Sequence, residues 1–486
     1  MGTDGLSTAV EAKTSEPDSV GHKSSIIEAW EAKTLLARTL LKGTRGMKLA
    51  GKAFLPQHTL EGDLGYNERL KCSTLLNAFA KTSSFLSGQV FQKDPIFDEA
   101  VDQKFLDMAE RITAAGDSFS VYAKRNFQNG LGKGVVHTLV DMPKKDENIV
   151  TQKDEEEAGI RPYFKEIKPE DILGFIEDED GFIVQVRISE SITKRVGKYG
   201  TKTFDRVRVL EPGQWELFEV DDDSKSLASI DSGEFSINII PLLTFIPGDP
   251  DTQMTAPSPL DDLSELNGKH WRTSSDQDNY LTYCRFPLYF GRMLSDIPIL
   301  PAGKTLINSD DENSDLKTVE MTGTSIKAGA EDVKETEAQM ALYGLQQLLP
   351  RVGNMTATEK AITSAESNSS LSTWATEFED YCIQCFQVMG MFIGMEFPDN
   401  SIEMNKEYNF GVADPQELMA LLAAKEAGVA SAQETFIEFR RRGVYQDTTE
   451  WDDMSADIEQ EKRESLEMSQ LAGSAFGEEE GGEEGA

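Results

Sequence analysis

The stretch EDVKETEAQMALYGLQQLLPRVGNMTATEK, residues 331–360, decides how this chain is read. Glu331 to Leu349 reads as a helix, Pro350 to Met355 breaks it, and Thr356 restarts a longer helix running to about Met395. Pro350 disfavours helix at Leu349 and brings no donor of its own, while Gly353 and Asn354 supply permissive backbone dihedrals. The restart is a capping box: in Thr356-Ala357-Thr358-Glu359 the threonine hydroxyl accepts from the Glu359 backbone N–H and the carboxylate reaches back. Leu371, Trp374, Phe378, Tyr381, Cys385, Val388 and Phe392 then recur every three or four residues, which places them on one buried stripe.

Working upstream, Ser258-Pro259-Leu260-Asp261 offers an N-cap, a proline at the first helical position and an acid at the third. The helix this starts runs to about Cys284 and would be roughly 37 Å long. Most of its circumference is polar (Lys269, His270, Arg272, Asp276, Asp278, Asn279), so it needs neighbours or an aqueous space beside it. Arg285 to Ala330, with Pro287, Pro298 and Pro301, is an irregular insert between the two helices. They can therefore lie antiparallel, with the insert at their far end.

Towards the N-terminus, Ser25 to Leu41, Leu64 to Val90 and Asp98 to Ala115 read as helices. From Val135 the period changes. Val135 to Asp141, Phe182 to Ile188, Phe204 to Leu210, Trp215 to Val220 and Ile237 to Ile246 are short β-branched or aromatic runs separated by turn residues, which predicts an antiparallel meander. The charged run Lys144 to Glu157 reads as a solvated loop within it. Beyond the long helix, Asp414-Pro415-Gln416-Glu417 starts a helix that Gly428 stops, Ser431-Ala432-Gln433-Glu434 starts another ending at Arg440-Arg441-Arg442-Gly443, and a third spans about Thr449 to Leu471. Residues 1–24 and the acidic, glycine-rich residues 473–486 are expected to be mobile tails.

With 486 residues and 39% hydrophobic content, the chain is expected to hold two or more domains with real cores. Forty-eight basic residues against 85 acidic ones leave a net charge of −37, which argues against a surface that grips nucleic acid by neutralising phosphates. Cys72, Cys284, Cys382 and Cys385 make no disulfide framework, and no signal peptide opens the sequence, so intracellular synthesis is expected. The longest apolar run, near Phe386 to Phe397, falls well short of the roughly 20 residues that span a bilayer.

The candidate chemical motifs are weak. Ala302-Gly303-Lys304-Thr305 mimics the end of a phosphate-binding loop, but Pro298 stands where that loop needs glycine. Gly130, Gly132 and Gly134 miss the dinucleotide fingerprint and fit a turn entering a strand better. Cys382-Ile383-Gln384-Cys385 has metal-like spacing without a second pair, on the apolar side of a helix, and reads as two core cysteines. His22, His58, His137 and His270 form no catalytic spacing, and Arg440 to Arg442 read as compensation of a helix dipole. No catalytic residue, cofactor or metal is expected, and nothing demands an enzyme.

Phe54-Leu55-Pro56 followed by Tyr66-x-x-Arg69-Leu70, Asn77, Gly88, Val90-Phe91 and Pro95, then Thr356-Ala357-Thr358-Glu359-Lys360, then Gly428-Val429-Ala430-Ser431 through Arg442-Gly443-Val444, resemble the recurrent stretches of portal proteins of tailed double-stranded DNA bacteriophages. The resemblance spans roughly Ser25 to Leu471 and rests more on the order of parts than on any single motif. It implies an α+β, mainly helical subunit that assembles into a ring, usually of twelve, around a DNA channel at one capsid vertex. Residues 25–256 would be the wing, 257–284 and 331–349 the two stem helices, 285–330 the clip, 350–355 the channel loop, 356–412 the long wing helix and its return, and 413–472 the crown.

Carried over in this way, Arg351, Gly353 and Asn354 are the candidates for the channel loop. Lys269, His270, Arg272 and Lys334 are candidates for the stem, and Arg285, Arg292 and Lys304 for docking at the clip. The implied partners are further copies of the chain, the packaging terminase, the major capsid protein, head-completion and tail-adaptor proteins, and double-stranded DNA passing non-specifically, with no membrane. The rival readings are another structural or scaffolding component of the same particle and, more distantly, a hydrolase whose carboxylate site has no recognisable spacing.

Overall fold

A computed structural model describes residues 19–143, 160–220, 227–285, 288–292, 313, 315–319, 323–345, 357–406, 408, 415–428, 431–441, 445, 451, 454–458, 460 and 463. The chain divides into two units, Met1–Lys406 and Glu407–Ala486.

The first unit opens with short helices: α1 (Ser25–Lys33), α2 (Leu35–Leu41), α3 (Gly43–Ala50), α4 (Asp63–Cys72), α5 (Ala78–Val90) and α6 (Gln103–Ala109). Two helices expected as continuous are thus each broken once. At Thr34 the side-chain hydroxyl and the backbone N–H both donate to the Trp30 carbonyl, which ends α1. At Ser73 the hydroxyl donates to the Arg69 carbonyl, and Asn77 then caps α5 by accepting from the Ala80 N–H. The third expected helix, Asp98 to Ala115, shrinks to α6, capped by Asp102, because Thr113 bridges Phe164 instead.

Gly130 and Gly132, expected in a turn, lie inside α7 (Phe119–Lys133). They are there for packing: a Cβ on Gly130 would come within 2.8 Å of the Phe245 ring, and one on Gly132 within 2.9 Å of Leu41. Gly134 ends α7 in the left-handed region at φ +86°, and a Cβ there would lie 2.4 Å from the Ala256 carbonyl oxygen and from Pro257 backbone atoms. That contact ties the end of α7 to the segment leading into the next long helix.

The strands are β1 (Ile96–Phe97), β2 (Val136–Asp141), β3 (Tyr163–Ile167), β4 (Ile172–Glu177), β5 (Ile183–Val196), β6 (Gly200–Glu211), β7 (Gln214–Val220), β8 (Leu227–Glu234) and β9 (Leu242–Phe245). They do not form one meander. β4 to β8 make an antiparallel five-stranded sheet in sequence order, whereas β2 sits between β3 and β9 in a separate three-stranded sheet. Lys144 to Glu157 lies outside the described residues.

Two further helices, α8 (Asp261–Arg285) and α9 (Gly323–Met340), flank the paired strands β10 (Leu288–Arg292) and β11 (Asp315–Val319). The long α10 (Ala357–Ile393) follows, and β12 (Ile402–Glu403) returns to pair with β1. α9 starts eight residues before the expected Glu331, and after Met340 the winding widens to a π turn over Ala341–Leu345.

The aromatic core is built around α10. Phe378 packs on Phe245 with centroids 4.8 Å apart and on Phe127 at 5.3 Å, and Phe386 packs on Phe119 at 5.1 Å. Cys382 and Cys385 are buried beside them, and burial pushes both thiols well above the ordinary range. The Tyr122 hydroxyl meets Thr138 at 2.6 Å, and Thr138 also bonds Tyr381, so buried hydroxyls link α7, β2 and α10.

In the second unit, α11 (Pro415–Glu426) is followed by Gly428 at φ +72° and by α12 (Ala432–Arg441). Ser431 Oγ accepts from the Glu434 N–H at 3.1 Å, and the Glu434 carboxylate accepts from the Ser431 N–H at 2.9 Å, a reciprocal capping box.

Two consequences are measurable. Gly134→Ala should cost at least about 2 kcal/mol in chemical denaturation, because strain at positive φ adds to a backbone clash that no rotamer relieves. His137 is buried on β2 with Nδ1 2.9 Å from Thr244 Oγ1, and burial, reinforced by Lys133, depresses its pKa from 6.5 to about 3. Below pH 6.5 the unfolded chain binds a proton that the folded chain refuses. The stability this neutral histidine contributes is therefore complete above 6.5 and is lost as pH falls towards 3, with a slope of at most about 1.4 kcal/mol per pH unit. His137→Gln should flatten the denaturant midpoint against pH between 6.5 and 4 by that one-proton slope.

Candidate functional site

The feature with the most unusual composition is the hairpin of α8 and α9. Ser258 places α8: its hydroxyl donates to the Leu131 carbonyl at 2.5 Å and accepts from the Leu260 N–H at 3.1 Å. Asp261 and Asp262 in the first turn suit the positive end of the helix. Three contacts define its direction against α9. Lys269 Nζ lies 3.3 Å from Asp332, His270 Nε2 3.2 Å from Glu337, and Gln277 Nε2 donates to the Ile326 carbonyl at 3.1 Å. From the Lys269 and His270 contacts at Asp332 and Glu337 to the Gln277 contact at Ile326, residue numbers rise along α8 and fall along α9, so the helices are antiparallel. The same order continues into the strand ladder, where Leu288 faces Val319 and Arg292 faces Asp315.

Neighbours, more than solvent, satisfy the polar side of α8. Leu263 and Trp271 are buried with Leu36, Leu40, Phe79 and Met340 in one cluster. Between them Asn267 is fully buried, accepting from the Phe79 N–H at 3.0 Å and donating to the Leu76 carbonyl at 2.9 Å. Ser275 meets Ser73 at 2.8 Å. Asp276 accepts from Arg69, whose side chain is only 2% exposed, at 3.1 Å. Arg69 also holds Glu61 through two bonds of 2.8 and 2.7 Å, donates to the Pro56 carbonyl and stacks near the Tyr66 ring. The bond from Arg69 keeps the Glu61 carboxyl below the usual carboxylate range and holds the guanidinium charged.

The stem candidates do not share one environment. Lys269 is paired across the hairpin, His270 is buried against α9 and does not face open space, Arg272 is half-buried, and Lys334 is exposed on α9. Arg292 is exposed at the end of β10. The side chain of Arg285, all of Lys304, and the loop residues Arg351, Gly353 and Asn354 lie outside the described residues. Among the described residues no group of three or more His, Cys, Asp or Glu side chains could hold a metal ion, and no helix is long and apolar enough to cross a membrane.

Sequence reading missed Asn267, Asp332 and Glu337, and placed Arg69 only within the portal resemblance, without its partners. Asn267 had a signal: it falls four residues after Leu263 and four before Trp271, on their stripe. Arg69 had none pointing to Asp276, which is 207 residues away.

A family model described as a domain of unknown function (DUF4055) matches residues 259–393, from the cap of α8 to the end of α10. No curated protein matches the chain. Among solved structures it is similar to a chain in the neck of an empty gene transfer agent particle computed with C6 symmetry, at TM-score 0.40 and 11% identity over 72% of this chain and 85% of that one. A chain in the virion of the native gene transfer agent particle gives TM-score 0.37, 11% identity and the same two coverages. One in the neck of the native particle computed with C12 symmetry gives 0.36 and 11% over 73% and 86%.

Arg69→Ala should destabilise the chain by about 3 kcal/mol, because it leaves Glu61 charged and 11% exposed without its fork, and leaves Asp276 with His58 alone. Arg69→Lys should recover only part of that loss, since an ammonium cannot reproduce the paired bonds. Urea denaturation of the two variants beside the parent measures both differences.

Proposed function

We propose that the chain is a portal subunit: a ring-forming, non-enzymatic component of a tailed double-stranded DNA phage or phage-like particle, set at one capsid vertex as the conduit for DNA entry and exit. The observation that carries this reading is the antiparallel pair α8 and α9, which runs into a strand ladder and is followed by the long α10, the order of parts the portal resemblance requires. In this reading α8 and α9 are the stem, β10 and β11 belong to the clip, and Pro350 to Met355 is the channel loop. The clip docks the packaging terminase during filling and head-completion or adaptor proteins afterwards, while the periphery meets the major capsid protein.

An acidic chain suits the task, because walls of like charge keep moving DNA from adhering. The exposed residues of α9 include Lys327, Glu331, Lys334 and Glu335, a mixed face that offers DNA no continuous cationic track.

Native mass spectrometry of the purified full chain, with negative-stain micrographs, tests the reading. A closed ring of about twelve copies is expected, and monomer or dimer alone across a range of salt and concentration would overturn it. Deleting Arg351 to Asn354 should leave the ring intact, since a short connection contributes few core contacts, while packaging or retention of DNA fails. Particles that carry this deletion and still fill completely would reject the channel-loop role.

A further inference from the structure

The five-stranded sheet has two oppositely charged ends, and β5 joins them. At its start, the β4–β5 turn presents Glu177, Asp178, Glu179 and Asp180 as four consecutive exposed acids, followed by Phe182 at 70% exposure. At its other end, β5 and β6 run on as a two-stranded arm. β4 pairs β5 no further than Ile188, and β7 pairs β6 only from Arg206 onwards, while β5 and β6 stay paired to Val196 and Gly200. Every residue from Thr193 to Thr203 is exposed. Within that arm Lys194, Arg195, Lys198 and Lys202 carry positive charge with no acid among them, and Tyr199 stands 86% exposed with Lys198 over its ring.

A two-stranded ribbon alone is marginally stable in water, so an arm of this length gains order from what it touches. Of its cations Lys194 reaches Glu219 of β7 at 4.0 Å while half exposed, and four consecutive exposed acids lie at the opposite end of the same sheet. β5 spans 14 residues, so the two ends are separated by roughly 45 Å, too far for the acidic turn and the arm of one copy to meet.

We propose that the sheet is a head-to-tail connector: the basic, tyrosine-bearing arm of one copy docks on the acidic, phenylalanine-bearing turn 177–182 of the next copy. A contact between two different patches of the same chain is heterologous and propagates, closing into a ring when the rotation between copies allows it. The proposal rests on the ring reading for its closure, not for the contact itself. The interface combines charge pairing, which sets partner orientation, with one exposed aromatic from each side.

The test is a reciprocal charge swap read by sedimentation velocity. One variant carries Lys194→Glu, Lys198→Glu and Lys202→Glu; the other carries Glu177→Lys, Glu179→Lys and Asp180→Lys. Asp178 is left alone because its carboxylate accepts from the Asp180 and Phe182 N–H groups and holds the turn. Each variant alone should self-associate on the order of 10-fold more weakly than the parent, and the parent's association should weaken with salt. An equimolar mixture should recover assembly, because the acidic arm of one now meets the basic turn of the other.

The milder pair Lys198→Glu and Glu179→Lys, read the same way, covers a triple variant that fails to fold. Variants that assemble like the parent, or a mixture that stays dissociated, overturn the contact while leaving the ring reading standing. Swap-dependent assembly into a species that is not a ring supports the contact and overturns the ring. A parent that is monomeric throughout overturns both. A duplex DNA fragment that is bound by the parent and released by the arm variant, with assembly unchanged, reassigns the arm to nucleic acid and overturns the proposal.

Discussion

Helix α8 enters the core by matching Asn267, Ser275 and Asp276 to partners fixed elsewhere, while Trp271 Nε1 and His270 Nδ1 are buried without a hydrogen bond. A buried amide left without hydrogen bonds costs more than a buried methylene gains, so Asn267 admits α8 in one register: the one that aligns its amide with the Phe79 N–H and the Leu76 carbonyl. Ser275 and Asp276 repeat the test two turns later against Ser73 and Arg69. Trp271 lies between these checkpoints, fully buried in the cluster that also holds Met340 of α9. The position of α9, and with it the strand ladder beyond, follows from a register set by α4 and α5. Apolar packing alone would tolerate a slide; a run of matched polar groups does not.

That division explains what could be read from the sequence. The start of α8 and the capping box at Ser431 were legible because each is a local device, a hydroxyl or carboxylate acting within three residues of itself. The breaks at Thr34 and Ser73 were not, because a hydroxyl bonding back to a carbonyl four residues earlier leaves hydrophobic periodicity untouched. α7 was lost for the opposite reason. Its glycines, at a spacing of two, signal a turn locally and are kept in a helix by Phe245 and Leu41, neither of which is near in sequence. The early start of α9 is of the same kind: Gly329 lowers helix propensity, yet its missing Cβ leaves room for the Gln277 amide that bonds the Ile326 carbonyl. Among the candidate site residues, type and rough placement were legible for Lys269 and His270, but the partners that turn His270 inward were not.

The two ways charge is used in the chain respond to salt differently. Within the first unit, the Asn267 and Ser275 bonds that set register are buried and neutral, and the Arg69 end of the bond to Asp276 is 2% exposed although Asp276 is 47% exposed. The Lys269–Asp332 pair, by contrast, is about half exposed on both sides and contributes little to the hairpin. Screening over a Debye length of about 8 Å at physiological ionic strength therefore leaves the fold of a subunit almost unchanged. The acidic turn and the basic arm of the five-stranded sheet are fully in solvent, where screening acts with full effect. The proposed contact between copies is therefore expected to yield to salt well before the fold of the chain does. A net charge of −37 opposes the close approach of two copies, so the proposed attraction between them has to be concentrated at a few oriented patches.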